Sequence, residues 1–339
     1  MLHALIIGSS GYVGSRLVAH LAAAGHDVTA TARNLDKLAR FDFPDSVRPV
    51  RMDVTSAQSC RSALDQVPHV DVAYYLVHSI GGDDFAERDL DSANTFAAAA
   101  TGAGVARIVY LGGFVPAGEE LSEHLESRAD VGEALNSTAV DLVWLRAAVI
   151  LGAGSTSYEL IRYLAERLPI IPLPKFMTHP VAPIAVDDVL GYLTAAADPD
   201  VVPPGHYDIS NGESLTYSDL IRQYAEHQHL RRWWVPLPFI SAGLAAPLVS
   251  MLTPIPRDMV ADLVQSLRNT MDSHDHAIRD LVPDPPAGLT VLSTAIDRAS
   301  TSEGFKARGV SESPDPLQLT TTDPRWAGGD AYRKANNTN

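Results

Sequence analysis

A glycine pattern follows a short apolar run near the start of this chain. Residues 5–14 read LIIGSSGYVG, which spaces Gly8, Gly11 and Gly14 three residues apart. The apolar run predicts a buried strand, and the glycines after it allow a tight turn whose backbone another group can approach closely. A helix that starts at such a turn offers unpaired N–H groups and the positive end of its dipole. The pattern therefore predicts a phosphate-binding turn.

The residues after this turn complete a strand–helix–strand unit. Leu17, Val18 and Leu21 recur on one face of a helix, Gly25 ends that helix, and residues 28–32 read as a second strand. A glycine pattern alone also occurs in turns that only reverse the chain, but the whole unit favours a bound dinucleotide. We expect the turn to supply its contacts, through Gly8, Ser9, Ser10, Gly11, Tyr12, Val13 and Gly14.

The end of the second predicted strand indicates which dinucleotide binds. NAD-binding units carry a carboxylate near this point for the ribose 2′-hydroxyl, whereas this chain reads TARN and offers Arg33. A forked guanidinium suits a 2′-phosphate, and Lys37 adds a second positive charge one helical turn later. The alternative is that both are ordinary solvated side chains. The sequence favours NADP(H) over NAD(H) as the cofactor.

Strand-like and helical segments alternate through the first half of the chain. This alternation predicts an α/β fold with a Rossmann-type, doubly wound, mostly parallel sheet. The predicted strands are 2–7, 28–32, 47–52, 70–77, 107–111 and 140–145, and the predicted helices are 12–24, 56–67, 85–102 and 121–135.

Two more strand ends supply expected cofactor contacts, because ligands bind at the carboxyl ends of parallel strands. After the third strand, the Asp53 carboxylate either accepts a hydrogen bond from the adenine amino group or caps the next helix together with Thr55 or Ser56. After the fourth, His78 lies where the nicotinamide half would pass. The residues expected to contact the cofactor at these ends are Asp53, Val54, Leu76, Val77 and His78.

Composition excludes other classes of ligand. With 46% hydrophobic residues the chain can bury a sizeable core, and a formal net charge of −15 without a long run of lysine or arginine excludes a nucleic-acid backbone as partner. The first predicted strand leaves no room for a signal peptide, and the single cysteine, Cys60, cannot form an internal disulfide. We expect a cytoplasmic protein in which Cys60 is a packed thiol.

Prolines break the chain after residue 150 into short pieces, which is typical of a cap built from insertions. We predict a Rossmann domain over residues 1–150 and a substrate lobe over residues 151–299 that is interleaved with the end of the sheet. Residues 300–339 are rich in Ser, Thr, Asp, Gly and Pro, and this composition predicts a weakly ordered tail.

The segment from Trp233 to Pro256 carries no charge over 24 residues. It is long enough to cross a bilayer, but its prolines argue against one continuous helix. We interpret it as a buried lid or an apolar wall of the substrate site. Contact with a membrane surface is the alternative, favoured by the flanking Arg231 and Arg232 and by the paired tryptophans.

The assembled pattern resembles the short-chain dehydrogenase/reductase superfamily, in its extended and atypical branches, among NAD(P)H-binding proteins related to the NmrA-like regulators. The resemblance covers residues 1 to about 230 and rests on the glycine turn, Arg33, and the segments 52–54, 107–113 and 183–189. It implies a Rossmann domain with a small C-terminal substrate lobe.

The catalytic set that is usual in this superfamily is absent. Gly112 and Gly113 stand near the place of its serine, and His124 and Arg128 stand where its Tyr-x-x-x-Lys would be. His124 could act as a general acid/base while Arg128 holds the nicotinamide ribose. Alternatively, the helix is simply amphipathic, with His124 exposed among glutamates and Arg128 paired to one of them. In a third interpretation the cap supplies the proton donor, from Tyr158, Tyr163 or Tyr192.

One cluster resembles a metal site but lacks a full ligand set. Residues 272–276 read DSHDH, which places His274 and His276 next to Asp272 and Asp275. Because no further ligands at a typical zinc spacing accompany them, we predict a solvated polar turn and no metal.

Three functions agree with these observations. The first is an NADP(H)-dependent oxidoreductase that acts on an apolar carbonyl or quinone-like small molecule, supported by the uncharged segment. The second is a non-catalytic NADP(H)-binding redox sensor or assembly factor, supported by the missing catalytic set. The third is an NAD(P)-dependent epimerase or dehydratase, which the extended architecture permits. The sequence leaves the oligomeric state open.

Overall fold

The main sheet of the protein has seven strands, and all of them run parallel. A computed structural model describes residues 1–78, 84–116, 121–273, 275–300 and 315–328. Ser79, Gly81 and Gly82, which follow the fourth predicted strand, lie outside the described residues.

The first half of the chain alternates strands and helices. The strands are β1 (His3–Ile7), β2 (Asp27–Ala32), β3 (Arg48–Arg51), β4 (Val72–Tyr75), β5 (Arg107–Gly113) and β6 (Asp141–Ala147). The helices are α1 (Tyr12–Ala23), α2 (Leu35–Leu38), α3 (Ala57–Leu64), α4 (Phe85–Gly102) and α5 (Glu123–Asn136). Every strand and helix predicted for this half is present, with ends that differ by a few residues. The additional helix α2 is a single turn, which is too short to produce a recognisable helical period in the sequence.

The second half contributes one more strand to the main sheet and a set of short elements. The strands are β7 (Val149–Leu151), β8 (Ile170–Leu173), β9 (Pro180–Val181), β10 (Pro183–Ala185), β11 (Gly205–Asp208), β12 (Leu215–Thr216) and β13 (Trp233–Pro236). The helices are α6 (Thr156–Arg167), α7 (Val186–Ala195), α8 (Tyr217–His227), α9 (Ala242–Leu252), α10 (Arg257–Ser266), α11 (Ala277–Leu281) and α12 (Leu292–Ser300). A capping box fixes the start of α8, in which Thr216 and Asp219 each accept a hydrogen bond from the other's backbone N–H.

The strand order in the sheet is β11-β6-β5-β4-β1-β2-β3. The order reverses between β1 and β4, and in such sheets ligands bind at the carboxyl ends of the strands beside this reversal. Successive residues of β1 point to opposite faces, so Leu5 packs with α3 and α4 while Ile6 packs with α1 and α7. Two helical layers therefore enclose the sheet and confirm the predicted α/β class.

The uncharged segment lies on the outside of the second lobe. Trp233, Phe239 and Met251 are 76%, 95% and 77% exposed. The interpretation as a buried lid is therefore wrong for these side chains, whereas an apolar wall of the substrate site stays a prediction. Other residues of the same segment are buried, namely Ala242, Ala245, Ala246 and Ile255, and a lack of charge does not distinguish them from the exposed ones. Among the described residues, no helix combines the length and the apolar character needed to cross a bilayer.

Part of the predicted tail is packed. Within residues 315–328, Leu317 and Ala327 are fully buried and belong to the core of the second lobe. Composition gives no sign of this packing, because polar contacts to residues far away in the chain hold the segment. One such contact is the ion pair between Arg16 on α1 and Asp323 in this segment.

Candidate active site

The glycine turn closes tightly between β1 and α1. Gly8 has a φ of +95°, and a Cβ on it would lie 2.9 Å from the carbonyl oxygen of Leu76. A Cβ on Gly14 would lie 2.2 Å from the carbonyl oxygen of Gly8, so helix and turn can pack this closely only without a side chain. The Gly11 N–H donates to Gly8 O at 2.9 Å. No side chain caps the start of α1, which leaves the turn suited to a phosphate group.

The side chains of the turn have different surroundings. The Ser9 hydroxyl is fully buried, donates to Ile6 O at 2.8 Å and accepts from the Thr31 N–H at 2.9 Å. It joins β1 to β2, so its role lies in the shape of the turn. Ser10 is exposed, whereas Tyr12 and Val13 are half-buried. The Tyr12 ring covers Arg16, whose Cζ lies 4.0 Å from the ring centroid.

Arg33 and Lys37 lie at the end of β2 and on α2. Both side chains are exposed, and neither has a hydrogen-bond or ion-pair partner among the residues that the structure describes. Asn34 between them caps α2 by accepting from the Asp36 N–H at 2.9 Å. The two cations are therefore available to an anion at this edge of the sheet.

Asp53, at the end of β3, takes part in local turn bonds. Its Oδ1 accepts from the N–H and the hydroxyl of Thr55 at 3.1 and 2.8 Å, while Ser56 is the residue that caps α3. The neighbouring Val54 is buried and packs in the core with Cys60. Burial also raises the pKa of the Cys60 thiol to about 11, so it is inert at neutral pH.

The carboxyl ends of β4 and β5 lie beside α5, and we call the region around His78, His124 and Arg128 the candidate cleft. Leu76 and Val77 pack beside the glycine turn, and His78 reaches solvent at the end of this segment. The surrounding protein, followed by the charges of Arg128 and His124, lowers the pKa of His78 well below its ordinary value.

His124 and Arg128 face into this cleft from α5. The Arg128 Nη2 lies 3.2 Å from His124 Nε2, and the His124 Nδ1 lies 3.8 Å from the Asp262 carboxylate on α10. The Phe85 ring centroid is 6.4 Å from that of His124. Since a guanidinium only donates, Nε2 must accept and the proton resides on Nδ1. His124 is thus turned inward, unlike the exposed side chain of the amphipathic-helix alternative.

Electrostatics keeps the His124 imidazole neutral. Its side chain is 19% exposed. Burial, followed by the positive charge of Arg128, lowers the pKa of His124 to about 3. Burial also lowers the pKa of Arg128, against the opposing effect of Tyr110, Asp89 and Asp262. An imidazole with this pKa is a poor general acid near neutral pH.

The structure explains why no serine stands after β5. A Cβ on Gly112 would lie 2.5 Å from the Trp144 indole nitrogen. A Cβ on Gly132 of α5 would lie 2.5 Å from Cη2, at the far end of the same indole. Trp144 therefore occupies the space that a side chain at residue 112 would need. On Gly113 a Cβ would lie 3.3 Å from Leu125 Cδ2.

The three tyrosines of the cap are buried away from solvent. Tyr158 shares a hydrogen bond of 2.9 Å with the Ser300 hydroxyl, and the Tyr163 hydroxyl donates to Trp326 O at 2.6 Å. Tyr192 is 3% exposed in the core beneath the sheet. Packing and hydrogen bonds account for Tyr158 and Tyr163, whereas the Tyr192 hydroxyl has no hydrogen-bond partner among the described residues.

Sequence reasoning missed Asp89 and Asp262. Asp89 is 4% exposed on α4, four residues after Phe85 on the helical face that also carries Phe96. A carboxylate on an apolar stripe is a signal that periodicity could have revealed. Asp262 meets His124 only because α10 packs against α5, so no local pattern indicates it.

The segment 272–276 forms polar turn contacts. Asp272 accepts from the Ser214 hydroxyl at 2.8 Å, and Asp275 accepts from the Ala277 N–H at 2.9 Å. His274 lies outside the described residues. Among the residues that are described, no group of three or more His, Cys, Asp or Glu side chains could hold a metal ion.

Comparison with known proteins agrees with the fold and the glycine turn. Residues 8–162 match the family described as NAD(P)H-binding. No curated protein sequence matches the chain. This match lies within the Rossmann-type part of the chain and agrees with the resemblance to the atypical branch of the short-chain dehydrogenase/reductase superfamily.

Solved structures with a similar fold include enzymes of different chemistry. A nucleoside-diphosphate-sugar epimerase from Staphylococcus aureus is 17% identical with a TM-score of 0.67, over 87% of this chain and 99% of that one. The Citrobacter sp. triphenylmethane reductase, complexed with NADP(H), is 18% identical with a TM-score of 0.65, over 88% of this chain and all (100%) of that one. The Bordetella bronchiseptica enzyme WbmH, in complex with NAD+, is 15% identical with a TM-score of 0.66, over 91% of this chain and 100% of that one. At these identities the likeness is one of fold.

Proposed function

We propose that the protein is an NADP(H)-dependent oxidoreductase that reduces an apolar, quinone-like or conjugated carbonyl compound. The observation that carries the cofactor choice is the exposed Arg33 and Lys37 pair at the end of β2, which has no acidic neighbour on the strand end itself. A 2′-phosphate would give these cations a partner, whereas a 2′-hydroxyl calls for a carboxylate at this point. The triphenylmethane reductase named above, a structural neighbour, is complexed with NADP(H).

The substrate class follows from the chemistry of the cleft. When bound, NADPH supplies the hydride. Hydride addition leaves a negative charge on the substrate oxygen, and the Arg128 guanidinium is the cation in the cleft that can stabilise it. His124, neutral and bonded to Arg128, orients that guanidinium and supplies no proton near neutral pH.

A quinone-like acceptor suits a site without a strong general acid. Its reduced oxygen is a phenol-type group, which ionises near a pKa of about 10 and takes its proton from water. Reduction of a simple ketone would leave an alkoxide about as basic as hydroxide, because an alcohol is about as weak an acid as water, whose pKa is about 15.7. Such a substrate would need a proton donor in the site. The Phe85 ring, which is 7% exposed beside His124, adds an apolar neighbour to this region, as an uncharged substrate would require.

The cofactor choice is tested by titrating the protein with NADPH and with NADH. The Arg33→Ala variant should bind NADPH about 10- to 100-fold more weakly, because a charge-assisted hydrogen bond is lost, and should bind NADH unchanged. Arg40→Ala removes another exposed arginine close by and serves as the matched control. Equal affinity of the wild type for both cofactors would contradict the proposal.

The reaction is tested by NADPH oxidation with quinones, conjugated aldehydes and nucleotide sugars. Arg128→Met should lower kcat by about 100-fold with little change in KM, since it removes a charge that acts on the developing oxyanion. The exposed Arg61 on α3 provides the control Arg61→Met. Equal rates for saturated ketones and quinones would contradict the argument from the missing acid.

A redox sensor or assembly factor is the second candidate. The space that Trp144 fills beside Gly112 and the low pKa of His124 both favour it, because they remove two parts of the usual proton relay. Tight NADPH binding without turnover of any substrate class would support this candidate. Conversion of a nucleotide sugar without net NADPH consumption would support instead an epimerase, the class to which the Staphylococcus aureus neighbour belongs.

A further inference from the structure

Helix α9 packs with its small residues inward and its large residues outward. Ala245 and Ala246 are 9% and 5% exposed, whereas Leu244, Leu248 and Met251 are 65%, 57% and 77% exposed. The three exposed residues recur at i, i+4 and i+7, so they form one apolar stripe. A helix of a water-soluble surface has the opposite arrangement, and exposed apolar patches of this kind mark interaction sites.

Exposed apolar residues also lie on β13 and on the turn that leads from it into α9. Trp233 and Phe239 are 76% and 95% exposed, and Ile170, the partner of Trp233 in the neighbouring β8, is 55% exposed. The Arg167 guanidinium donates to Leu252 O and so ties the end of α9 to the residues just before Ile170. We call this combined surface, formed by Ile170, Trp233, Phe239, Leu244, Leu248 and Met251, the apolar face.

The charges that flank the apolar face along the chain are mostly positive: Arg167, Lys175, Arg231, Arg232 and Arg257 stand against Glu166 and Asp258. The segment 233–256 carries no charge, and the exposed Arg231 and Arg257 lie directly at its two ends. The exposed Lys175 follows β8. The chain as a whole has a formal net charge of −15, so this local cationic rim stands out against the rest of the surface.

We propose that the apolar face inserts into the headgroup region of an anionic phospholipid bilayer. Exposed tryptophan, phenylalanine and leucine side chains with a cationic rim are the features of segments that lie in a membrane interface. The rim is attracted to anionic headgroups within a Debye length of about 10 Å, where the acidic remainder of the protein contributes little. A second copy of this chain would bring the same positive charges together and bury them against each other, which disfavours self-association through this face.

The test is flotation of the full chain with vesicles of phosphatidylcholine and phosphatidylglycerol, compared with phosphatidylcholine alone. We expect tighter binding to the anionic vesicles, a loss of binding at high salt, and a blue shift of tryptophan fluorescence. A Trp233→Ser/Phe239→Ser variant should bind at least about 10-fold more weakly, and Arg231→Glu about 10-fold more weakly on anionic vesicles only. Val291→Ser, at a site that is 46% exposed outside the face, is the matched control.

Three outcomes would overturn the proposal. These are no binding of the wild type to anionic vesicles at low salt, equal binding of the double variant and the Val291→Ser control, or a lipid-free dimer that the double variant abolishes. Met251→Ser on α9 gives an independent variant if thermal unfolding reveals that the double variant is not folded. Vesicle binding needs no NADPH oxidation, so this proposal and the proposed enzyme activity can fail separately.

Discussion

Two buried charged regions of this protein differ in how fully their groups are paired. Around Arg16 on α1, the guanidinium donates to both oxygens of Asp323 and to the carbonyl oxygens of Pro316, Ala153 and Gln318. In the cleft, by contrast, His124 shares one hydrogen bond with Arg128, and its Nδ1 finds no hydrogen-bond partner within the part of the chain that the structure describes.

The difference separates a structural region from the candidate functional one. Buried charges that are paired and hydrogen-bonded hold distant segments together, and here they fasten residues 315–328 to the helix that follows the glycine turn. The cleft instead lowers the pKa of His78, His124 and Arg128, so the site disfavours positive charge until an anion arrives. Unmet polar groups in a cleft are what a ligand can satisfy.

The largest expected effect comes from breaking the paired region. Asp323→Asn should lower the free energy of unfolding by about 3–5 kcal/mol, because it leaves the 4%-exposed Arg16 side chain without its countercharge. Asp284→Asn, in the half-exposed pair with Arg279, should cost about 0–1 kcal/mol. Chemical denaturation measures both. Equal losses would mean that burial does not distinguish the two pairs.

The cleft should reveal itself through the pH dependence of stability. The pKa of His124 falls from 6.5 to about 3 on folding. Between these values the unfolded chain binds more protons than the folded one, so the free energy of unfolding rises with pH. The contribution of His124 to stability is therefore lost progressively as the pH falls below about 6.5. The pKa of His78 is lowered too and acts in the same direction.

We therefore expect up to about 2 kcal/mol of stability to be lost between pH 7 and pH 5 through His124. His124→Gln should flatten this dependence, whereas His206→Gln, at an exposed histidine, should leave it unchanged. Denaturation midpoints at several pH values measure the slope. An unchanged slope in His124→Gln would remove His124 from the set of histidines that are held neutral.

The smallest effect concerns the cap that positions α5 beside the cleft. The Ser122 hydroxyl accepts from the Leu125 N–H, and the Ser122 N–H donates to Asn269 at 3.1 Å. Ser122→Ala should cost about 1 kcal/mol of stability and should also lower the rate of NADPH oxidation. Thr216→Ala removes the cap of α8 as a control, with a similar loss of stability and an unchanged rate. A rate unaffected by Ser122→Ala would mean that the cap does not position the cleft.

Local patterns predicted the parts of this protein whose contacts are close in the chain. The glycine turn and the alternation of strands and helices each depend on residues a few positions apart, and each is found where it was expected. The ion pair of Arg16 with Asp323 joins residues 307 positions apart, so the composition of the tail could not reveal it.

The apolar segment illustrates a different limit. A run without charges is equally compatible with a core, a substrate wall and a surface. Hydropathy measures how favourable it is for a side chain to leave water, and it does not specify what the side chain then packs against. Only the packing of α9, with alanines inward, decides that Leu244 and Met251 face outward.

The sequence by itself determined the Rossmann-type sheet, the turn at Gly8–Gly14 and the cations at Arg33 and Lys37, since strand period, helix period and backbone freedom are local properties. The tertiary structure decided that His124 is held neutral beside Arg128, because a pKa depends on burial and on charges brought close by folding.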